Sequence, residues 1–88
     1  MAELILDLAE QLLAPDGSRY AVRVYGEPRP DGDWIGWLSF TAATGADVRR
    51  TERETTQPSR AALAYWASGL EPVYLEGAFS RASPAEGR

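Results

Sequence analysis

A chain of 88 residues with a formal net charge of −4 fits one compact domain, and no Ser/Gly/Pro-rich or like-charge stretch marks an interdomain linker. All nine basic residues are arginine, and lysine, histidine, asparagine and cysteine are missing, which excludes a disulfide framework, a thiolate nucleophile and histidine acid–base chemistry. The negative balance disfavours phosphate backbones and anionic membranes as partners, and a small chain without cysteine points to a soluble, cytoplasmic protein.

A chain this short hides only about 60–65% of the surface its unfolded form exposes, so a few large side chains must build the core. The aromatics Trp34, Trp37, Trp66, Tyr20, Tyr25, Tyr65, Tyr74, Phe40 and Phe79 supply them. Over Glu3 to Ala14 the apolar positions Leu4, Ile5, Leu8, Ala9, Leu12 and Leu13 follow helical spacing, with Glu3, Asp7, Glu10 and Gln11 opposite, which predicts an amphipathic helix. The rival is a strand from Glu3 to Leu8, with Pro15-Asp16-Gly17 as a hairpin turn. The acidic residues and the lack of a basic region before the run make it neither a signal peptide nor a membrane span.

Period two takes over at Arg19, with Tyr20, Val22 and Val24 on one side of a strand and Arg19, Ala21, Arg23 and Tyr25 on the other. Glu27 to Asp33 holds two prolines, a glycine and two aspartates and reads as the turn of a hairpin. The second strand, Trp34 to Thr41, sends Trp34, Leu38 and Phe40 one way and Ile35, Trp37, Ser39 and Thr41 the other, and Gly36 marks a close approach by a neighbour. Val48 to Thr55, rich in arginine, threonine and glutamate, reads as a third strand at an edge. Pro58, after Thr56 or Gln57 as cap, opens a helix presenting Ala62, Leu63, Trp66 and Leu70 to the core, with Gly69 as its stop. Pro72 starts another helical stretch with Leu75, Ala78 and Phe79 spaced to pack, and 83–88 trail off as a polar tail beyond a domain spanning 1–82. The fold class expected is α+β: a three-stranded antiparallel meander, four-stranded if the first segment is a strand, with helices packed on one face.

No catalytic, metal or cofactor motif emerges. Asp31 and Asp33 lack the later ligands of a calcium loop and suit the turn. The hydroxyls of Ser39, Ser59 and Ser68 have no histidine or lysine as base, and there is no glycine-rich phosphate cradle. What stands out is the sheet face opposite the helices, which carries Arg19, Arg23, Tyr25, Ile35 and Trp37, residue types enriched at interface hot spots. The bland alternative is that arginines stack over Tyr25 and Trp37, or that a loop or the C-terminal segment covers them.

The order helix–strand–strand–strand–helix is similar to that of the double-stranded-RNA-binding domain, but that family places a basic cluster where this chain has Pro58-Ser59-Arg60-Ala61-Ala62, so the likeness implies a fold and no function. The C-terminal half, Arg53 to Pro58 and Tyr65 to Ala78, resembles a group of small bacterial proteins, a resemblance that implies no activity and adds no site residue.

The reading these residues favour is a non-catalytic interaction or regulatory module without a cofactor, contacting a protein partner or a second copy through Arg19, Arg23, Tyr25, Trp37 and Arg49. An alternative is single-stranded nucleic acid stacked on Trp37 and Tyr25 with Arg23 and Arg49 along its backbone. A third, an enzyme using Glu52 or Glu54 beside Arg53, lacks a positioned partner for its carboxylate.

Overall fold

Alternation at Tyr20/Val22/Val24 and at Leu38/Phe40 drives the long hairpin around which the structure is organised. β3 (Arg19–Pro28) and β4 (Trp34–Ala42) pair antiparallel from Tyr20↔Ala42 to Pro28↔Trp34. The computed structural model describes residues 2–45 and 47–85. Two Pro-Asp-Gly triplets make the turns that lead into β3 and β4. In each, the amide of the glycine donates to the carbonyl three residues back, Gly17 to Ala14 and Gly32 to Arg29. The aspartate of each accepts from the amide two residues on, Ser18 and Asp33. The glycines sit at φ of 89° and 95°, where a side chain would be strained.

On the outer edge of β3 lie β1 (Glu3–Asp7) and β2 (Leu12–Leu13), and on that of β4 lie β5 (Val48–Arg50) and β6 (Thr55–Gln57), with the short β7 (Ser83–Pro84) beyond β5. Helices α1 (Arg60–Ser68) and α2 (Pro72–Arg81) cover one face. Tyr20, Val22, Val24, Leu38 and Phe40 are buried there against Ala67, Leu75 and Ala78, with the Phe79 ring set 4.8 Å from that of Tyr20 and 5.3 Å from that of Phe40.

The expected α+β class and the meander with helices on one face are found, and four details differ. Glu3 to Ala14 holds two strands rather than the amphipathic helix, and the first of them matches the rival strand reading of Glu3 to Leu8. The register shifts between Leu4 and Leu6, so that Leu4 pairs with Tyr25 and Leu6 with Val24. This bulge sets Ile5 beside Leu6 against the core and breaks the alternation that would have announced a strand. The chain therefore opens on a strand, and the element order of the double-stranded-RNA-binding domain does not hold.

The third strand is also split. Thr51 exchanges bonds with Leu38, its amide donating to the Leu38 carbonyl and its hydroxyl accepting from the Leu38 amide, before the chain leaves the edge and returns where the Glu54 amide meets the Gly36 carbonyl. Ser59 rather than Thr56 or Gln57 caps α1, its hydroxyl accepting from the Ala62 amide. Of the expected tail, Ser83 and Pro84 pair with Arg50 and Arg49, and residues 86–88 lie outside the described residues.

One cross-strand pair governs how close the helices come. Gly26 and Gly36 lie opposite each other, and Leu63 of α1, fully buried, occupies the notch they leave. A Cβ on Gly36 would stand 2.6 Å from the Leu63 Cδ1, and one on Gly26 would stand 2.4 Å from its Cδ2 and 2.9 Å from the Ile35 carbonyl oxygen. Gly36→Ala is expected to cost about 1–3 kcal/mol. Gly26→Ala should cost more, because the Ile35 carbonyl belongs to the hairpin backbone and has no rotamer to escape into. Repeating the Gly36 change in a Leu63→Ala background separates the cause: denaturant unfolding should then show only a small further loss, about 0.5 kcal/mol or less. An equal loss in both backgrounds would mean that Leu63 does not fill the notch.

Candidate interaction face

Register determines what the uncovered face presents. Leu4 pairs with Tyr25 and Tyr25 with Trp37, so these three side chains form a row across β1, β3 and β4. The next row, Asp7, Arg23, Ser39 and Arg50, is polar. At the same register Leu13 shares the parity of Arg19, and the two most exposed leucines of the sheet, Leu4 at 47% and Leu13 at 61%, both belong to this face.

Trp37 is 8% exposed, so it is the floor of the face rather than a bare contact point. The Arg50 guanidinium lies over its ring at 5.1 Å, and Ala2, Tyr25, Ser39 and Ala85 line the crevice beside it. Arginine stacking and cover by the C-terminal segment thus both occur at Trp37. Tyr25 is half-buried. Arg23 meets Asp7 at 3.5 Å, with 40% and 57% of the two side chains exposed, a surface pair that contributes little. Arg19 is exposed at the start of β3.

Arg49 does not belong to this set. It pairs with Phe40, on the helix side, where its guanidinium lies over the rings of Phe79 at 5.1 Å and Tyr20 at 5.8 Å and its Nε donates to Asp47 at 3.0 Å. The neighbouring Arg50 takes the place on the open face. Composition alone leaves the parity of Arg49-Arg50 open, because both neighbours carry the same side chain. The split of Arg23 and Arg49 between faces also removes the geometry in which they would follow one nucleic-acid backbone.

The carboxylate considered for catalysis is held by other partners. Glu54, its side chain 8% exposed, accepts from the Tyr74 hydroxyl at 2.5 Å and from the Arg81 Nη2 at 2.6 Å, and does not meet Arg53. Burial pushes its carboxyl up, but hydrogen bonds from Arg81, Tyr74 and Thr51 and the charge of Arg81 together hold it below the ordinary value. Tyr74 is pushed up to about 12, first by burial and then by its bond to Glu54. At the other end of the sheet the bond to Asp47 raises the Tyr20 hydroxyl. Among the described residues no group of three or more acidic side chains is placed to hold a metal ion, and no helix is long and apolar enough to cross a membrane.

Comparison of the chain with protein-family models, with curated proteins and with solved structures finds no match.

The Glu54 cluster ties the β5–β6 connection to α2 and sets a pH dependence. A lowered carboxyl stabilises the fold above its unfolded value, and that contribution is lost as the pH falls below about 4.5 and through the folded value. A raised Tyr74 stabilises below its unfolded value of 10.0, and its contribution is lost as the pH climbs to about 12. Glu54→Gln is expected to lose about 1–3 kcal/mol at neutral pH. Thermal unfolding followed against pH should also show a flatter acid limb for the variant. Parallel profiles would mean that Glu54 is not the group being titrated.

Proposed function

We propose that the chain is a non-catalytic interaction module that self-associates through its open sheet face. One observation carries this reading: both helices pack on the same side, and the opposite side sets Leu4, Tyr25 and Trp37 in a single cross-strand row with the exposed Leu13 at the edge. The accessible part of this row is Leu4 and Tyr25, since Trp37 lies beneath Arg50, and exposed apolar side chains of this kind suit a contact that excludes water. The flanking row, Asp7, Arg23, Ser39 and Arg50, holds both signs, so a two-fold contact can set the acidic end of one copy against the arginines of the other. In a chain of net charge −4, matching local signs offsets the overall repulsion between copies.

Tyr25 is a better test position than Trp37, because it is half-buried where Trp37 packs beneath Arg50. Sedimentation of the parent should give a dimer. Tyr25→Glu should keep the circular dichroism of the parent and weaken the dimer by at least about tenfold, about 1.4 kcal/mol. A parent that sediments as a monomer at high concentration, or a folded variant with unchanged association, would contradict the reading.

A further inference from the structure

A second surface lies between α2 and the chain segment 8–15, at the β2 edge of the sheet, where Leu13 and Arg19 also line it. Three adjoining depressions share residues along this line. Leu8, Ala9 and Leu70 are at one end, Leu12, Leu75 and Pro72 in the middle, and Ala14, Phe79 and Ala82 at the other, where the cleft measures about 510 Å³. Its floor is apolar: Leu12, Ala14 and Leu75 belong to the buried core, and Phe79 is packed against it. The ten residues of α2 run along one wall, so the groove is roughly 15 Å long, the reach of a helix of similar length.

The rim is acidic. Glu10, Glu71 and Glu76 are exposed and form no ion pair with another described residue, in contrast to Glu3, Asp7, Asp47 and Glu54, each of which has an arginine. Of the two arginines that border the groove, Arg49 is engaged by Asp47, which leaves Arg19 alone against three carboxylates.

We propose that this groove binds a basic amphipathic helix of a partner protein, with the apolar stripe of the helix on Leu13, Pro72 and Phe79, which border the nearly buried Leu12 and Leu75, and its lysines or arginines against Glu10, Glu71 and Glu76. An apolar floor gives such a contact its area, and rim charges of one sign select the partner and speed its approach. An acidic amphipathic helix of the same shape is repelled by the same rim, so the charge pattern states which of two geometrically equivalent partners fits. The groove meets the open sheet face at Leu13 and Arg19, while Leu4, Tyr25 and Trp37 of the proposed dimer row line none of its three depressions.

A synthetic helical peptide of leucine and lysine, its leucines on one face, is the probe, and its leucine–glutamate counterpart is the control. Titrated into the isotopically labelled parent, the basic peptide should shift amide resonances in 8–15 and 70–82, and the acidic peptide should shift none. Glu76→Lys and Glu10→Lys change exposed positions and should leave the fold intact. Each should weaken binding, and together by at least about tenfold, with the parent's affinity falling as salt is raised. Equal binding of both peptides, unchanged affinity in the folded variants, shifts confined to the open sheet face, or no binding would overturn the proposal.

Discussion

The seat of Leu63 against Gly26 and Gly36 determines which side of the sheet is covered. Two glycines opposite each other on the central strands leave a gap in the ladder of side chains, and a leucine fully removed from water fills it. With α1 held there, the short link through Gly69 and Leu70 leads directly into α2, and α2 places Leu75, Ala78 and Phe79 over Tyr20 and Phe40. The helices therefore share one face. The same register that lines up the glycines also lines up Tyr25 with Trp37 one position earlier and later, and puts that row on the side the helices leave bare.

Much of this arrangement is legible in the residues. Alternation marks β3 and β4, the Pro-Asp-Gly triplets mark the two turns, Gly69 and Pro72 mark where one helix stops and the next begins, and Gly36 marks a close approach that Leu63 makes. Gly26 lies one residue past the clear alternation of β3, so its partnership with Gly36 becomes visible only through the register. The first segment misleads because a bulge places Ile5 and Leu6 on the same side and so imitates helical spacing. The edge beyond β4 misleads because Thr51 and Glu54 continue its bonding while 52–53 leave it, a break that carries no composition of its own. The face of Arg49 against Arg50, and the capture of Glu54 by residues 20 and 27 positions away, depend on contacts that no local pattern encodes.

Ion pairing is distributed unevenly among the described residues. On the open face Arg23 has Asp7 and Arg50 has the ring of Trp37, so these charged groups are partnered within their own chain. Along α2 the carboxylates of Glu71 and Glu76 have no such company among the described residues and stand beside an apolar floor. The buried carboxylate, Glu54, has the opposite character: with Tyr74 and Arg81 as partners it fixes α2 to the sheet and so holds one wall of that groove in place.

The central claim is that Leu63 sits in the Gly26–Gly36 notch and thereby commits both helices to one face. Nuclear Overhauser effects between the Leu63 methyl groups and the Cα protons of Gly26 and Gly36 test it most directly. Strong cross-peaks to both glycines, with none from helix side chains to the Trp37 indole, are the result expected. Leu63 methyls without contact to either glycine, or helix contacts to Trp37, would contradict the account.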